Sequence, residues 1–160
     1  MTFSIVAFDP ANGDLGVAVQ SKFPNVGVSI PFTRAGVGAV ATQSYCNTSY
    51  GPRGLALLEN GASPRQAVEI LTGGDAQRDY RQVGIIDAQG RAASFTGTHC
   101  FDWSGDSQGA YCAAQGNTLA GPGVVEGMVR GFEAARGSLA ERLMAALRAG
   151  QAGGGDRRGQ

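Results

Sequence analysis

The sequence predicts an α+β fold in which two antiparallel sheets stack and helices cover both outer faces. Short strand-like segments joined by tight turns favour antiparallel sheets, and 26 glycines among 160 residues separate these segments. The predicted order is four strands, two helices, three strands and two helices. Each sheet and each helix must bury an apolar face, so helices in this order would pack outside two stacked sheets. We expect one domain over 1–160, because two adequate cores would need a longer chain.

Seven strands are predicted from runs of apolar, β-branched and aromatic residues that end at turn residues. They cover residues 3–8, 15–20, 26–32, 37–43, 82–86, 91–95 and 110–115. Asp9-Pro10 and Asn12-Gly13 are turn sequences, so the first two strands form a hairpin. The connection between Gly97 and Gly109 contains Trp103, and we interpret it either as a binding loop or as an ordinary surface loop.

Four helices are predicted in two pairs. Pro52 lies in the first turn of the first helix, and a single apolar stripe predicts the third helix over 124–132. The second and fourth helices begin with capping boxes, in which a serine and a residue three positions later satisfy each other's backbone N–H groups. These pairs are Ser63 with Gln66 and Ser138 with Glu141. The glycine-rich tail over 150–160 is expected to form no further element.

Composition excludes several classes of partner. Lys and Arg total 13 and Asp and Glu total 13, and no segment gathers the basic residues that nucleic acid would require. No apolar run is long enough to span a bilayer, and the N-terminus does not have the pattern of a signal peptide. The cysteines at 46, 100 and 112 fit reduced thiols better than disulfides or a metal site. We expect a cytoplasmic protein with no metal or cofactor.

Thr2 is the main candidate for chemistry, because a hydroxyl residue stands directly after Met1 at the head of the first strand. Removal of Met1 would give Thr2 both a hydroxyl nucleophile and a free α-amine. The ordinary pKa of an α-amine is about 8, so a useful fraction is neutral at neutral pH and can accept the hydroxyl proton. Threonine is also common at this position without any catalytic role, so an ordinary strand residue remains the alternative.

Six segments carry a resemblance to a known family. They are residues 2–7, 15–24, 35–43, 50–55, 115–121 and 154–159. On these motifs the chain resembles the bacterial DUF1028 family, whose activity is unsettled and which is similar to the N-terminal-nucleophile (Ntn) hydrolases. The resemblance implies a four-layer α/β/β/α sandwich. It also implies that this sandwich lacks its last strands here, since relatives continue into two further strands after Asp156.

A more distant resemblance to proteasome-type β subunits implies catalytic roles. Thr2 matches the nucleophile, and Thr42 and Gln43 fall where a backbone N–H forms the oxyanion hole. Asn117 falls where a serine helps to hold the α-amine, and Asp156 falls near the aspartate that lies just before the penultimate strand of that family. The resemblance therefore implies a site assembled from widely separated segments.

The chain departs from the proteasome-type pattern at two charged positions. The lysine of that pattern would fall near Val28 or Ser29, and its second-strand carboxylate near Gln20 or Ser21. Positive charge would then come from Lys22 or Arg34, unless these are ordinary surface residues. The residues that we predict to bind substrate are Ser21, Lys22, Arg34 and Asn47.

These observations predict a homo-oligomeric amide hydrolase that acts on a small amide or peptide-like substrate through Thr2. Two alternatives stay open. The domain could have kept the fold without the reaction, and would then bind a small ligand or assemble with copies of itself. Cys46 could instead be the nucleophile, although the sole histidine, His99, is distant in sequence.

Overall fold

A computed structural model describes residues 2–159, so the predicted removal of Met1 lies outside the described residues. Within this range the chain forms two four-stranded antiparallel sheets and four α-helices, which confirms the α+β prediction. The strands are β1 Thr2–Phe8, β2 Leu15–Ser21, β3 Pro31–Arg34, β4 Gly38–Ser44, β5 Arg81–Asp87, β6 Ala92–Thr96, β7 Gly105–Gly109 and β8 Cys112–Asn117. The helices are α1 Tyr50–Glu59, α2 Pro64–Gly73, α3 Gly123–Ala134 and α4 Leu139–Ala152.

The first sheet has the strand order β2-β1-β8-β7, and the second sheet has the order β3-β4-β5-β6. The predicted hairpin of β1 and β2 is confirmed. β1 lies between β2 and β8, so both of its edges are paired. This pairing places the residue that opens β1 between two other strand ends.

Alternating residues of β1 face opposite sides, as the two-residue period of a strand requires. Phe3, Ile5 and Ala7 belong to a core cluster shared with α3 and α4. Val6 and Phe8 belong to another cluster that contains residues of the second sheet. The first sheet therefore packs on two helices with one face and on the second sheet with the other.

The second sheet is covered by α1 and α2 in the same way. Val40, Val83 and Ile85 point toward these helices and pack with the buried Leu55 and Leu71. Both predicted capping boxes are confirmed at the starts of α2 and α4. Among residues 2–159, no helix is long and apolar enough to cross a membrane.

The space between the sheets changes character along β1. Where β1 ends, it is filled by apolar side chains such as Val6, Phe8, Ala39 and Ile86. Where β1 begins, the buried side chains are polar instead. They are Thr2, Ser4, Gln43, Gln82, Gln115 and Asn117.

Two strand predictions are wrong. The predicted strand over 26–32 is a short 3₁₀ turn at Val26–Val28 followed by β3, which begins only at Pro31. Proline has no N–H for a ladder, and β3 is the edge strand of its sheet, where a first-position proline is tolerated. The predicted connection before Gly109 contains β7, which the sequence conceals because Gly, Asp and Ser have low strand propensity.

The glycine-rich tail forms no further helix or strand over the described residues 153–159, as predicted, but it begins later than residue 150 and pairs with another segment. α4 continues to Ala152, and Asp156 then forms an isolated antiparallel bridge with Leu119. Gly154 and Gly155 have positive φ angles of 115° and 53°, which lets the chain turn back after the helix. The tail consequently packs beside the segment that follows β8.

Candidate active site

Thr2 opens β1 at the polar end of the space between the sheets. Its side chain is only 7% exposed, and its Cα is paired with Ser21 on β2 and with Asn117 on β8. Thr2 Oγ1 donates a hydrogen bond to Ser21 Oγ at 3.2 Å. Ser21 Oγ also accepts the backbone N–H of Phe23 at 3.0 Å. The sheet register thus places three predicted site residues side by side across the first sheet. We call this row of Ser21, Thr2 and Asn117 the Thr2 row.

A cavity of about 390 Å³ opens beside Thr2. Its walls come from the start of β1, the segment after β2, the end of β4 with the segment that follows, the segment before β7, and the end of β8. Among the described lining residues, none carries a charge. They are Thr2, Phe23, Val26, Ser29, Ile30, Gln43, Ser44, Tyr45, Cys46, Thr48, Phe101 and Asn117.

Gln43 connects the floor of this cavity to both sheets. Its buried Nε2 group donates to Gln82 Oε1 at 2.8 Å and to Gln115 O at 3.2 Å. The same group lies 3.4 Å from Thr2 O. Gln43 Oε1 accepts the hydroxyl of Ser4 at 2.7 Å. The side chain of Gln43 therefore fixes the start of β1 relative to β4.

The side chains of Ser4, Gln43, Gln82, Gln115 and Asn117 form one buried group, which we call the amide cluster. Gln115 Nε2 donates to Ser4 Oγ at 2.6 Å, and Asn117 Nδ2 donates to Gln82 Oε1 at 3.0 Å. Gln82 Nε2 donates in turn to Gly116 O at 2.8 Å. Buried polar networks that are almost fully hydrogen-bonded are rigid, so the amide cluster holds Thr2 and Asn117 in place.

Cys46 forms part of the cavity wall after β4. Its Sγ atom lies 3.2 Å from Thr42 O and 3.7 Å from Ser29 O, both hydrogen-bond acceptors. Burial raises the pKa of the Cys46 thiol above its ordinary value, despite the opposing effects of Thr42 and Arg81. This environment disfavours the thiolate that the Cys46 alternative requires.

A partly buried ion pair holds the segment between β4 and α1. Asp75 Oδ2 accepts from Arg81 Nε at 2.9 Å, from Tyr50 Oη at 2.9 Å and from Asn47 Nδ2 at 3.1 Å. Arg81 also donates to the carbonyl oxygen of Tyr45. We call Asn47, Tyr50, Asp75 and Arg81 the wall network, because it fixes the chain on either side of Cys46.

The pKa values of the wall network follow from these contacts. Burial raises the pKa of Asp75, but the hydrogen bonds led by Arg81 outweigh it and hold that pKa well below its usual range. Burial raises the pKa of Tyr50, and its hydrogen bond to Asp75 raises it further. The network therefore carries an ionised Asp75 and a neutral Tyr50.

The packing of the tail brings Asp156 beside Leu119, in the segment that follows β8, and Asp156 is not among the residues that line the cavity. Its buried carboxylate accepts from the Arg158 backbone N–H at 2.8 Å and from the Arg158 guanidinium at 3.2 Å. Burial raises the pKa of Asp156, but the bonds from Arg158 and the charge of Lys22 lower it below its usual value. Lys22 directly follows Ser21 in the chain. The positive charge that helps to lower the pKa of Asp156 therefore belongs to a residue next to the Thr2 row.

The comparisons with known proteins concern the whole chain. Residues 2–160 match the model of a family described as a family of unknown function, DUF1028. The chain belongs to the DUF1028 family. The crystal structure of a DUF1028 protein from Silicibacter pomeroyi superposes on this chain with a TM-score of 0.93, and the two sequences are 35% identical. That match covers 96% of this chain and 68% of the other. No curated protein matches the sequence.

The structure of this DUF1028 chain gathers some of the predicted site residues and separates others. Thr2, Gln43 and Asn117 line the cavity, and Ser21 contacts Thr2. Arg34 does not approach it, because it pairs with exposed Glu59 beside the start of β4. The cavity lies at the other end of β4, about 20 Å away for a strand of this length.

Two further predicted residues have structural partners of their own. The Thr42 backbone N–H donates to Ile30 O at 3.2 Å, so it is not free to act as the predicted oxyanion donor. Asn47 belongs to the wall network and is not among the cavity-lining residues. Asn47 therefore shapes the site without facing a ligand.

Much of this candidate site leaves no signal in the sequence, which predicted only Asn47 of the wall network. The other members were not predicted, because the hydrogen bonds of this network join residues far apart in the chain. Gln82 and Gln115 left a usable signal, since each is a polar residue next to a run of small or apolar strand residues. Phe101 lies in the connection that we interpreted as a possible binding loop, and its ring lines the cavity.

Proposed function

We propose that this chain is an Ntn-type amide hydrolase whose nucleophile is the hydroxyl of Thr2 after removal of Met1. In this proposal the two sheets with their outer helices are the four-layer Ntn sandwich. The observation that carries it is the position of Thr2, buried at the head of a central strand and beside a cavity walled by both sheets. An N-terminal nucleophile requires this placement, because its amine and hydroxyl must reach the same bound carbonyl.

The proposed reaction proceeds through an acyl-enzyme. Thr2 Oγ attacks the amide carbonyl carbon while the Thr2 α-amine accepts the hydroxyl proton. The tetrahedral intermediate then collapses, the C–N bond breaks, and the α-ammonium gives its proton to the departing amine. Water attacks the resulting ester in the same way and releases the carboxylic acid, which restores the threonine hydroxyl.

The backbone N–H groups of Gln43, Ser44 and Cys46 are the proposed oxyanion donors. Thr42 and Tyr45 are excluded because their N–H groups already donate to Ile30 O and Tyr80 O. Ser44 adopts a left-handed conformation with a φ of 69°, and unusual backbone conformations of this kind are common at functional sites. This segment borders the cavity together with Thr2, so its N–H groups are the nearest backbone candidates to the bound carbonyl.

Neighbouring side chains would orient Thr2 and adjust its charge. Ser21 accepts the Thr2 hydroxyl hydrogen bond, so it is proposed to hold that hydroxyl in one rotamer. Lys22 is proposed to supply positive charge in place of the missing proteasome-type lysine, since its charge already reaches Asp156. Nearby positive charge would favour the neutral α-amine that the reaction needs.

A non-catalytic binding domain is the second candidate function. Met1 directly precedes Thr2 in the sequence, and while it is attached the Thr2 nitrogen is an amide that cannot act as a base. The same cavity would then bind a small ligand without cleaving it. Processing of Met1 is therefore the property that separates the two candidates.

Intact mass spectrometry of the purified protein, with and without a threonine-reactive β-lactone, tests the proposal. We expect a species that has lost the mass of Met1, gains one β-lactone adduct, and carries that adduct on Thr2 by peptide mapping. Thr2→Ala should abolish labelling, whereas Thr48→Ala, which removes another cavity hydroxyl, should retain it. Protein that keeps Met1 completely and gains no adduct would support the binding domain instead.

A further inference from the structure

Three aromatic rings stand at the cavity with most of their surface in solvent. Phe23 is 71% exposed, Phe101 55% and Tyr45 53%, and all three line the cavity beside Thr2. Singly exposed apolar residues are ordinary on a protein surface, but a group of them around one concave site marks a binding surface. We call these three residues the aromatic rim.

Two rings of the aromatic rim contact each other, and the third residue is held through its backbone. The rings of Tyr45 and Phe101 have centroids 5.8 Å apart, and Tyr45 meets Tyr80 edge-on at 5.5 Å. The backbone of Phe23 is tied to the Thr2 row through the hydrogen bond from its N–H to Ser21 Oγ. These contacts position the rings of Tyr45 and Phe101, and they place the backbone of Phe23 beside the proposed nucleophile.

The remainder of the cavity is apolar or neutral. Val26 and Ile30 supply aliphatic surface, and Ser29, Ser44 and Thr48 supply hydroxyl-bearing wall positions. A charged ligand group placed here would lose its hydration without gaining an opposite charge from any described lining residue, which is unfavourable. The nearby charges of Asp75 and Arg81 already satisfy each other.

We infer that the cavity selects an uncharged group with an aromatic ring, so that the substrate is an amide whose acyl part carries a neutral aromatic side chain. The amide part of this inference rests on the proposed function, whereas the preference for a neutral aromatic group rests on the cavity alone. Aromatic rings attract one another in edge-to-face and offset arrangements, which favours an aromatic group over an aliphatic group of similar size. The volume of about 390 Å³ lies within the range of small-molecule sites, about 300–1,000 Å³.

Binding can be measured separately from catalysis in the Thr2→Ala variant. The probes are N-acetyl-phenylalaninamide, N-acetyl-leucinamide and N-acetyl-lysinamide, titrated by NMR against isotope-labelled protein. We expect the phenylalanine probe to bind about fivefold or more tighter than the leucine probe, and the lysine probe to bind weakest. Resonances of the aromatic rim should shift on binding.

Substitutions in the rim identify the surface that selects the ligand. Phe23→Leu and Phe101→Leu should each weaken binding of the phenylalanine probe about three- to tenfold while leaving the leucine probe nearly unchanged. Met144→Leu is the matched control, because Met144 is an exposed apolar residue on α4 and does not line the cavity. It should bind all three probes as the parent does.

The outcomes distinguish this inference from the proposed function. Selective binding of the phenylalanine probe by protein that the β-lactone does not label would retain the inference and reject the hydrolase. Labelling of Thr2 with equal affinity for the three probes, or with preference for lysine, would reject the inference and retain the hydrolase. If no probe binds at millimolar concentration, or if the rim is covered in a dimer that Phe23→Ala dissociates, the inference is overturned.

Discussion

Gln115 shows how a single buried side chain depends on the residue that faces it. Its Nε2 group is hydrogen-bonded within the amide cluster, while its Oε1 atom is buried with no hydrogen-bond partner among the described residues. Gly84 of β5 lies directly against that amide, and a Cβ there would stand 2.2 Å from Oε1. The absence of a side chain at Gly84 is therefore what lets Gln115 enter the space between the sheets.

For the contact between Gly84 and Gln115, we predict that Gly84→Ala lowers the free energy of unfolding by about 2 kcal/mol or more. The added methyl would displace the Gln115 amide and disturb its hydrogen bond to Ser4, because both sheets are closely packed there. Urea unfolding measures the change. The same substitution at Gly73, near the end of α2 with open space around it, should be neutral or stabilising by about 0.5 kcal/mol. Equal changes in the free energy of unfolding for Gly84→Ala and Gly73→Ala would contradict the proposed role of Gly84.

The connection between β4 and α1 illustrates the scale of elements. It forms one wall of the cavity, and the wall network ties it to the segment between α2 and β5. Removing one partner of this partly buried ion pair leaves the other charge poorly compensated, which is costly. The shape of this wall consequently depends on Asp75, a residue that does not line the cavity itself.

For this element we predict that Asp75→Asn lowers the free energy of unfolding at pH 7 by about 2 kcal/mol, less than for a fully buried pair because solvent screens part of the interaction. The folded-state pKa of Asp75 is lowered, so its contribution is fully present above its unfolded pKa of about 4 and disappears as the pH falls toward the lower folded value. Urea unfolding at several pH values should therefore show the difference between parent and variant shrinking below pH 4. Glu69→Gln, in an exposed pair with Arg65, should change stability by less than about 0.5 kcal/mol.

Sequence patterns predicted most elements whose signals are local. Ser63 and Ser138 start α2 and α4 because each capping box is complete within four residues. β7 was missed because its pairing with β8 stabilises residues that have little strand propensity of their own. The strand predicted over 26–32 was too long, because Asn25 takes a left-handed conformation and a 3₁₀ turn follows it.

On the scale of the whole molecule, the amide cluster joins the two sheets at one end and apolar packing joins them at the other. Contacts of both kinds link β1 of the first sheet with β4 of the second. Neither sheet could lose its partner without exposing buried polar groups and apolar side chains together. This shared interior favours unfolding of the chain as one unit.

We therefore predict a single cooperative unfolding transition in urea. Fluorescence of Trp103, which packs against the core of the first sheet, should report the same midpoint as far-UV circular dichroism. Two separated midpoints would show that the sheets unfold independently and would contradict the expected single domain.

The sequence by itself determined the α+β class, the first hairpin, the capped helix starts and the position of Thr2 at the head of a strand. These features depend on residues close together in the chain, so propensity and turn chemistry are sufficient to predict them. Only the tertiary structure decided which residues surround Thr2. Gln43, Gln82 and Gln115 meet through strand register and sheet packing, and Phe23 and Phe101 reach one cavity from separate segments. Contacts of this kind depend on how distant segments pack, and no local pattern in the sequence encodes them.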